Sequence, residues 1–265
     1  MNLKKIIKKI SNRIVKKSVL NKGDLILATF PKSGTTWFRF IWNNIISIIE
    51  FEGEDIDYHK LNGDLKSSID SIIRPKTIFH SLPVLMATHK AYLAYPLLRN
   101  KSIHLYRNPG DTMVSYFEYS RNLKGGNSYL YDFGSFIRSE EYGITAWCKH
   151  FIFWQKNATI TISYEEMKTD ALFVIKRLLH EMDINSIDDV SLIEAIEKSN
   201  FKNIRKMELN TGKDEKAEKA LNNSFVFARK GEVGQWDKYF SKEDILYTNK
   251  ILFSFSIDMR LEKIS

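Results

Sequence analysis

One stretch constrains this 265-residue chain more than any other: Asp24–Ile46, DLILATFPKSGTTWFRFIWNNII. It opens on an apolar run, Leu25-Ile26-Leu27-Ala28-Thr29, and passes through a polar loop, Pro31-Lys32-Ser33-Gly34-Thr35-Thr36. It then carries apolar residues at Trp37, Phe38, Ile41, Trp42, Ile45 and Ile46. The first run has the composition of a buried strand, and the last has helical spacing. That order sets free backbone N–H groups and the positive end of a helix dipole beside a lysine and several hydroxyls. Phosphate or sulfate binds in such a place. Gly34 allows the backbone to approach an anion closely. An ordinary strand-to-helix turn requires none of this chemistry. The triphosphate-binding loop has Gly-Lys-Ser/Thr at the helix start, whereas here the lysine precedes the glycine, which argues against a nucleoside triphosphatase or kinase.

The length suits one α/β domain with a sizeable core, over residues 23–265, preceded by a basic segment at residues 1–22. The net charge of +8 resides in that segment. It holds Lys4, Lys5, Lys8, Lys9, Arg13, Lys16, Lys17 and Lys22 and no acid, which leaves 32 basic against 32 acidic residues in the remainder. A neutral body disfavours nucleic acid as a partner. Leu3, Ile6, Ile7, Ile10, Ile14 and Val15 share one side of a helix. The segment therefore reads as a basic amphipathic helix for an anionic membrane surface, as a cover for the domain's own flank, or as a tail. The single cysteine, Cys148, permits no internal disulfide and fits a reducing compartment. No run is long enough to span a membrane, and no leader is visible. The location expected is cytoplasmic, and on the first of these readings peripheral at the inner membrane surface through residues 1–22.

Glu50–Asp70 is acidic and polar and reads as a loop with short structure. The run ending at Thr88-His89 reads as a strand that delivers a histidine to its end, where open α/β sheets bind ligands. A histidine there is by itself more often a structural hydrogen-bonder than a base. Ser102–Tyr106 repeats the strand, followed by the turn Arg107-Asn108-Pro109-Gly110-Asp111 and a helix that carries Ser115. Asp111 is the expected N-cap, and Arg107 offers a planar fork for a phosphate. Arg121–Glu141 reads as a surface excursion, and Gly143–Trp154 as a helix. Thr159–Tyr164 alternates as a strand. Tyr164 at its end reads equally as an interfacial core tyrosine or a ligand contact. A helix follows near Ile187–Ser199, then Asn200-Phe201. Thr211–Asn223 is charged and is the candidate lid. Phe227-Ala228-Arg229-Lys230-Gly231-Glu232-Val233-Gly234-Gln235-Trp236 joins two cations to two spaced glycines. Ser241–Asp244 has the pattern of a capping box. No cluster with metal-ligand spacing is visible.

The loop 31–37, the Arg107/Ser115 pair and the Arg229–Trp236 segment together resemble the cytosolic-type sulfotransferase family, over most of residues 24–245. The resemblance implies a three-layer α/β sandwich with a central parallel sheet, P-loop-like and related to nucleotide kinases. It implies 3′-phosphoadenosine 5′-phosphosulfate (PAPS) as sulfuryl donor, phosphoadenosine 3′,5′-bisphosphate (PAP) as product, and no metal. Lys32, Ser33, Gly34, Thr35 and Thr36 would hold the 5′-phosphosulfate, with Lys32 also catalytic. Trp37, Tyr164 and Phe201 would enclose the adenine. Arg107, Ser115, Arg229, Lys230 and Gly231 would grip the 3′-phosphate. His89 would be the general base, with His80, followed by Ser81-Leu82-Pro83, as its rival. Ala87 stands where the family usually has a lysine. Asp237, Ser241 and Lys242 depart from the family's dimer motif. The acceptor would be a small molecule, lipid or glycan bearing a hydroxyl or amine. Two further readings stay open: a P-loop nucleotide kinase, and a catalytically inactive membrane-surface protein.

Overall fold

The structure, a computed structural model, describes residues 20–77, 79–93, 100–124, 128–211 and 231–262. The basic segment up to residue 19, Arg229, Lys230 and the candidate lid from residue 212 onward lie outside the described residues.

Four strands form one parallel sheet in the order β2-β1-β3-β4. They are β1 (Leu25–Thr29), β2 (Leu85–Thr88), β3 (Ser102–Tyr106) and β4 (Ile160–Ser163). In β1 alternate side chains enter opposite layers. Leu25 and Leu27 pack with Ile41, Trp42, Leu178 and Leu192, while Ile26 and Ala28 pack with Met86 and Trp154. Burial on both faces explains the unbroken apolar run of β1.

The first layer is α1 (Thr35–Glu50), α7 (Ala171–Glu181) and α8 (Asp189–Lys198). In α1, Phe38, Ile41, Trp42 and Ile45 recur on one stripe and are all buried. Each such side chain contributes roughly 1.5–3 kcal/mol on burial. The opposite layer is α3 (Pro109–Arg121), α4 (Phe133–Arg138), α5 (Ile144–Asn157) and α10 (Lys242–Ser254). The remaining helices, α2 (Tyr58–Asn62), α6 (Tyr164–Thr169) and α9 (Phe201–Thr211), lie between these elements in sequence. Helices on both faces of a parallel sheet make the three-layer sandwich. Among the described residues no helix is long and apolar enough to cross a membrane.

Two local expectations change. The N-cap of α3 is Asn108, whose side chain accepts from the Asp111 N–H at 3.2 Å; Asp111 lies one turn in and is used elsewhere. The segment 121–141 is not a surface excursion throughout. It carries α4, with Phe136 and Ile137 fully buried. Tyr129 meets Phe136 edge-on at 5.0 Å, and Phe117 meets Phe133 at 5.3 Å. Aromatic rings dispersed among glycines and charges gave no periodic signal, yet edge-to-face packing assembles them. The expected capping box at Ser241/Asp244 is present, a second stands at Ser163/Glu166, and Asp170 caps α7.

The chain leaves β1 toward β2 on one side and then crosses to β3 on the other. Such a reversal opens a crevice beyond the carboxyl ends of the strands.

Candidate active site

A cavity of about 950 Å³ occupies that crevice. Its lining comes from the residues after β1, β2 and β3, from Tyr164 after β4, and from Phe201 on α9. Lys32, Gly34, Thr35, Thr36, Trp37, His89, Arg107, Ser115, Tyr164, Phe201 and Gly231 all line it. Ser33 is fully buried beneath the loop, and its hydroxyl oxygen has no partner among the described residues.

The 31–36 loop is bent by two left-handed residues, Lys32 at φ 71° and Gly34 at φ 107°. Gly34 is the N-cap of α1, so no side chain occupies the first-turn N–H groups. A Cβ at Gly34 would approach the Tyr164 ring to 2.8 Å, so only glycine fits. The Lys32 ammonium sits 4.7 Å from the centre of the Tyr119 ring. An uncapped helix N-terminus with an orphaned buried hydroxyl and a lysine beside it fits a bound anion.

His89 is fixed through its ring. Its Nδ1 lies 2.9 Å from the Thr29 carbonyl oxygen and 3.1 Å from Thr29 Oγ1, which in turn lies 2.7 Å from Thr35 Oγ1. A carbonyl only accepts, so the Nδ1 N–H is the donor here, and in the neutral ring the lone pair is on Nε2. The Asp70 carboxylate accepts from the His89 backbone N–H at 2.7 Å and from the Thr88 hydroxyl at 2.6 Å. His80 is remote from this cavity. Its backbone N–H donates to Glu50, the last residue of α1, whereas the anion loop is at the first turn.

A second knot holds the segment after Gly231. The buried Asp111 carboxylate accepts from the N–H of Gly234 at 2.7 Å and of Trp236 at 3.0 Å. Arg107 donates to the Glu232 carbonyl at 2.8 Å and lies over the Tyr164 ring at 4.5 Å. Tyr164 donates through its hydroxyl to the Gly231 carbonyl at 3.3 Å. A Cβ at Gly231, which has φ 63°, would come within 2.5 Å of the Phe201 ring. Burial pushes the Tyr164 hydroxyl upward, opposed by the Arg107 charge. Burial likewise raises the Glu165 carboxyl, which accepts from the Asn108 N–H at 3.0 Å. The aromatic slot is completed by Trp37, whose ring meets Tyr164 at 5.4 Å. Ser199, beside Asn200 and Phe201, is buried and accepts from Asn44 at 2.9 Å.

Behind β1 lie two buried histidines. His150 meets Phe30 edge-on at 5.8 Å and His104 at 5.7 Å. Burial drives the His104 imidazolium down to about 3 and holds His150 well below its ordinary value. Both rings are neutral packing groups. Among the described residues, no group of three or more His, Cys, Asp and Glu side chains is placed to hold a metal ion.

Thr29, Asp70 and Asp111 escaped the sequence reading. Thr29 announces itself only as the polar end of an apolar strand, and Asp111 has the pattern of a cap. Nothing around Asp70 marks it.

Comparison with known proteins accounts for this arrangement. Residues 22–254 match the sulfotransferase domain family. A cytosolic sulfotransferase, number 15, of Arabidopsis thaliana is 28% identical, with 84% of this chain and 69% of the relative covered. An amine sulfotransferase of Oryctolagus cuniculus is 27% identical, covering 84% of this chain and 77% of its own. Mouse sulfotransferase SULT7A1, solved with PAP, shares the fold with a TM-score of 0.64 at 22% identity, covering 90% of this chain and 85% of that one. Retinol dehydratase, solved with androsterone and the inactive cofactor PAP, shares it at 0.66 and 20% identity, covering 92% and 84%. With a loop, a basic knot and a sheet of this kind in place, the match over residues 22–254 settles the membership: the chain belongs to the sulfotransferase domain family.

Proposed function

We propose that the chain is a PAPS-dependent sulfotransferase that moves a sulfuryl group to a hydroxyl or amine of a small-molecule, lipid or glycan acceptor, with His89 as general base. The observation that carries this reading is the Thr29–His89 hydrogen bond, which engages Nδ1 and so makes Nε2 the basic atom of the neutral ring, in the same cavity as Lys32 and the 31–36 loop. The donor, when bound, supplies a sulfuryl group whose bond to the 5′-phosphate oxygen breaks as sulfur bonds to the acceptor atom.

Everything else falls to the chain's own side chains. Nε2 of His89 takes the proton from the acceptor, and Asp70, bonded to the His89 backbone, keeps the residue at the cavity edge. Lys32 answers the negative charge that grows on the leaving oxygen. Ser33, Gly34, Thr35 and Thr36 offer hydroxyl and backbone donors to the 5′-phosphate. Trp37, Tyr164 and Phe201 form the slot for the adenine. Arg107 and Ser115, with Gly231 and its neighbours Arg229 and Lys230, take the 3′-phosphate. Sulfuryl transfer, like phosphoryl transfer, depends on positioning and charge stabilisation, and these side chains are the ones to which both are assigned.

Relatives named for an amine and for luciferin support the small-molecule class of acceptor. A cytoplasmic location, supported by relatives named as cytosolic, belongs to the same reading, as does contact of residues 1–22 with an anionic leaflet. Incubation with sulfate-labelled PAPS and a cell extract, followed by mass identification of the product, tests the reaction. A sulfated product with release of PAP is expected. Phosphoryl transfer from ATP without PAP binding, or PAP binding without turnover across a broad acceptor panel, would overturn it.

A further inference from the structure

We infer that the acceptor is a hydroxyl-rich molecule that carries its own anionic group, in the manner of a sugar acid or sugar phosphate, and that Lys66 is the contact for that anion. This inference rests on the sulfuryl-transfer reading of the cavity.

The cavity has two chemically distinct sides. Beside the slot of Trp37 and Tyr164 the lining includes the apolar Met167, Ala171, Ile196, Phe201 and Ile204, with Lys168 over the Trp37 ring. The strip 66–71, tied to His89 through Asp70, adds Lys66, Ser67, Ser68 and Ser71, and Arg39 and Asn62 add further polar lining. The polar side is a strip of chain laid along the outer edge of β2. Ser67 donates to the Leu85 carbonyl, the Ile69 N–H donates to the Ala87 carbonyl at 2.8 Å, and Asp70 accepts from Thr88 and His89. Ile69 turns into the core, and its neighbours Ser68 and Asp70 face the cavity. The strip is thus anchored by its backbone and by Ser67 and Asp70.

Its other polar groups are unspent. Among the described residues the Lys66 ammonium has no acidic partner; Asp64, the nearest acid in sequence, pairs with Lys76 at 2.9 Å. Ser68 Oγ accepts from the Ser71 N–H at 3.2 Å, which leaves the hydroxyl protons of both serines available as donors. Five cationic side chains line the cavity, Lys32, Arg39, Lys66, Arg107 and Lys168, against the carboxylates Asp70 and Asp111, whose oxygens are engaged. Lys32 and Arg107 belong to the donor end. Arg39 is committed to α2 through the Leu61 carbonyl and Asn62. Lys168 lies 5.9 Å from the centre of the Trp37 ring, on the slot side, which leaves Lys66 as the charge on the acceptor side.

An apolar acceptor such as a steroid would strip water from Lys66, Ser68 and Ser71 and return nothing, which is costly. A polyol bearing a carboxylate, phosphate or sulfate repays each of them, and a lysine serves any of those anions as a point charge. Sites built from hydrogen-bonding groups discriminate strongly against ligands that leave them unpaired.

The test uses the full chain with labelled PAPS and four acceptors: methyl β-D-glucuronide, glucose 6-phosphate, methyl β-D-glucoside and androsterone. The anionic sugars are expected to exceed the neutral glucoside in kcat/KM by about 10-fold to 100-fold, the worth of one charged contact. Lys66→Met should erase that ratio through KM, with kcat for the neutral glucoside and PAP affinity by calorimetry little changed. Preference for androsterone, equal use of glucoside and glucuronide, or survival of the ratio in Lys66→Met overturns the inference. If PAP binds and androsterone turns over, the inference alone fails. If PAP does not bind, the sulfuryl-transfer reading fails with it.

Discussion

The two sides of the cavity are held together in different ways. On the donor side, backbone is held against buried side chains. Asp111 ties Gly234 and Trp236 to α3, Gly34 lies against Tyr164, and Gly231 lies against Phe201. On the acceptor side, a strip of chain is pinned along β2 and presents exposed or half-buried side chains that bond little within the protein. A site made of amides, glycines and a helix end tolerates few residue types at each position, because a Cβ or a proline breaks it. A site made of side-chain donors tolerates many, because a hydroxyl reaches a ligand from several positions.

The largest expected effect lies at the donor loop. Lys32→Ala should lower kcat by about 10²–10³-fold, the usual cost of removing one charge-stabilising donor, when turnover is measured at saturating PAPS. A smaller loss would move the donor phosphate away from the loop. Gly34→Ala comes next. It adds a Cβ 2.8 Å from Tyr164 to a left-handed residue, and PAP affinity by calorimetry should fall by about tenfold or more, the strain alone being worth about 1–2 kcal/mol. Gly53→Ala is the control. Gly53 is also left-handed, at φ 77°, but its Cβ would meet nothing nearer than 3.6 Å, so stability should drop while PAP affinity holds. Equal loss of PAP affinity in both variants would make strain, not contact with the adenine slot, the cause.

Asp111→Asn should weaken PAP by about tenfold by loosening the 231–236 segment, with acceptor KM at saturating donor unchanged. A shift in acceptor KM instead would show that the two sides are not separable. The smallest effect on the reaction is expected behind β1. His104 and His150 are held neutral when folded, so the unfolded chain takes up their protons first as pH falls below about 6.5. Stability present above that pH is lost on acidification, for His104 down to about 3, with a slope near 1.4 kcal/mol per pH unit for each histidine. Denaturant melts of His150→Leu between pH 6.5 and 4.5 should show a shallower slope than the wild-type chain. An identical slope would mean that His150 is protonated in the fold.

The same contrast explains what could be read from the sequence. β1, the loop and α1 were legible because the apolar run, the glycine and the 3.6-residue spacing are local. Arg107 with Ser115, and Gly231 before Gly234, were legible because strand ends and turns fix their neighbours. The placement of Lys66 and Asp70 at the cavity was not, since it comes from a pairing of residues 67–70 with 85–89 that no periodicity encodes. The 121–141 segment misled for a related reason: Tyr129, Phe133 and Phe136 pack against one another and Phe117 through ring edges, not through a helical stripe. Asp111 shows the limit of local patterns, for its cap-like context is real and its carboxylate nonetheless serves a segment more than a hundred residues away.

The central claim is that the donor is held without His89 while the acceptor proton leaves through it. Single-turnover transfer from pre-bound labelled PAPS in His89→Ala tests this most directly. The account predicts donor bound as in the wild-type chain and a transfer rate lower by about 10²–10⁴-fold. Transfer within threefold of the wild-type rate (a threshold of roughly 0.65 kcal/mol), with donor equally bound, would contradict it.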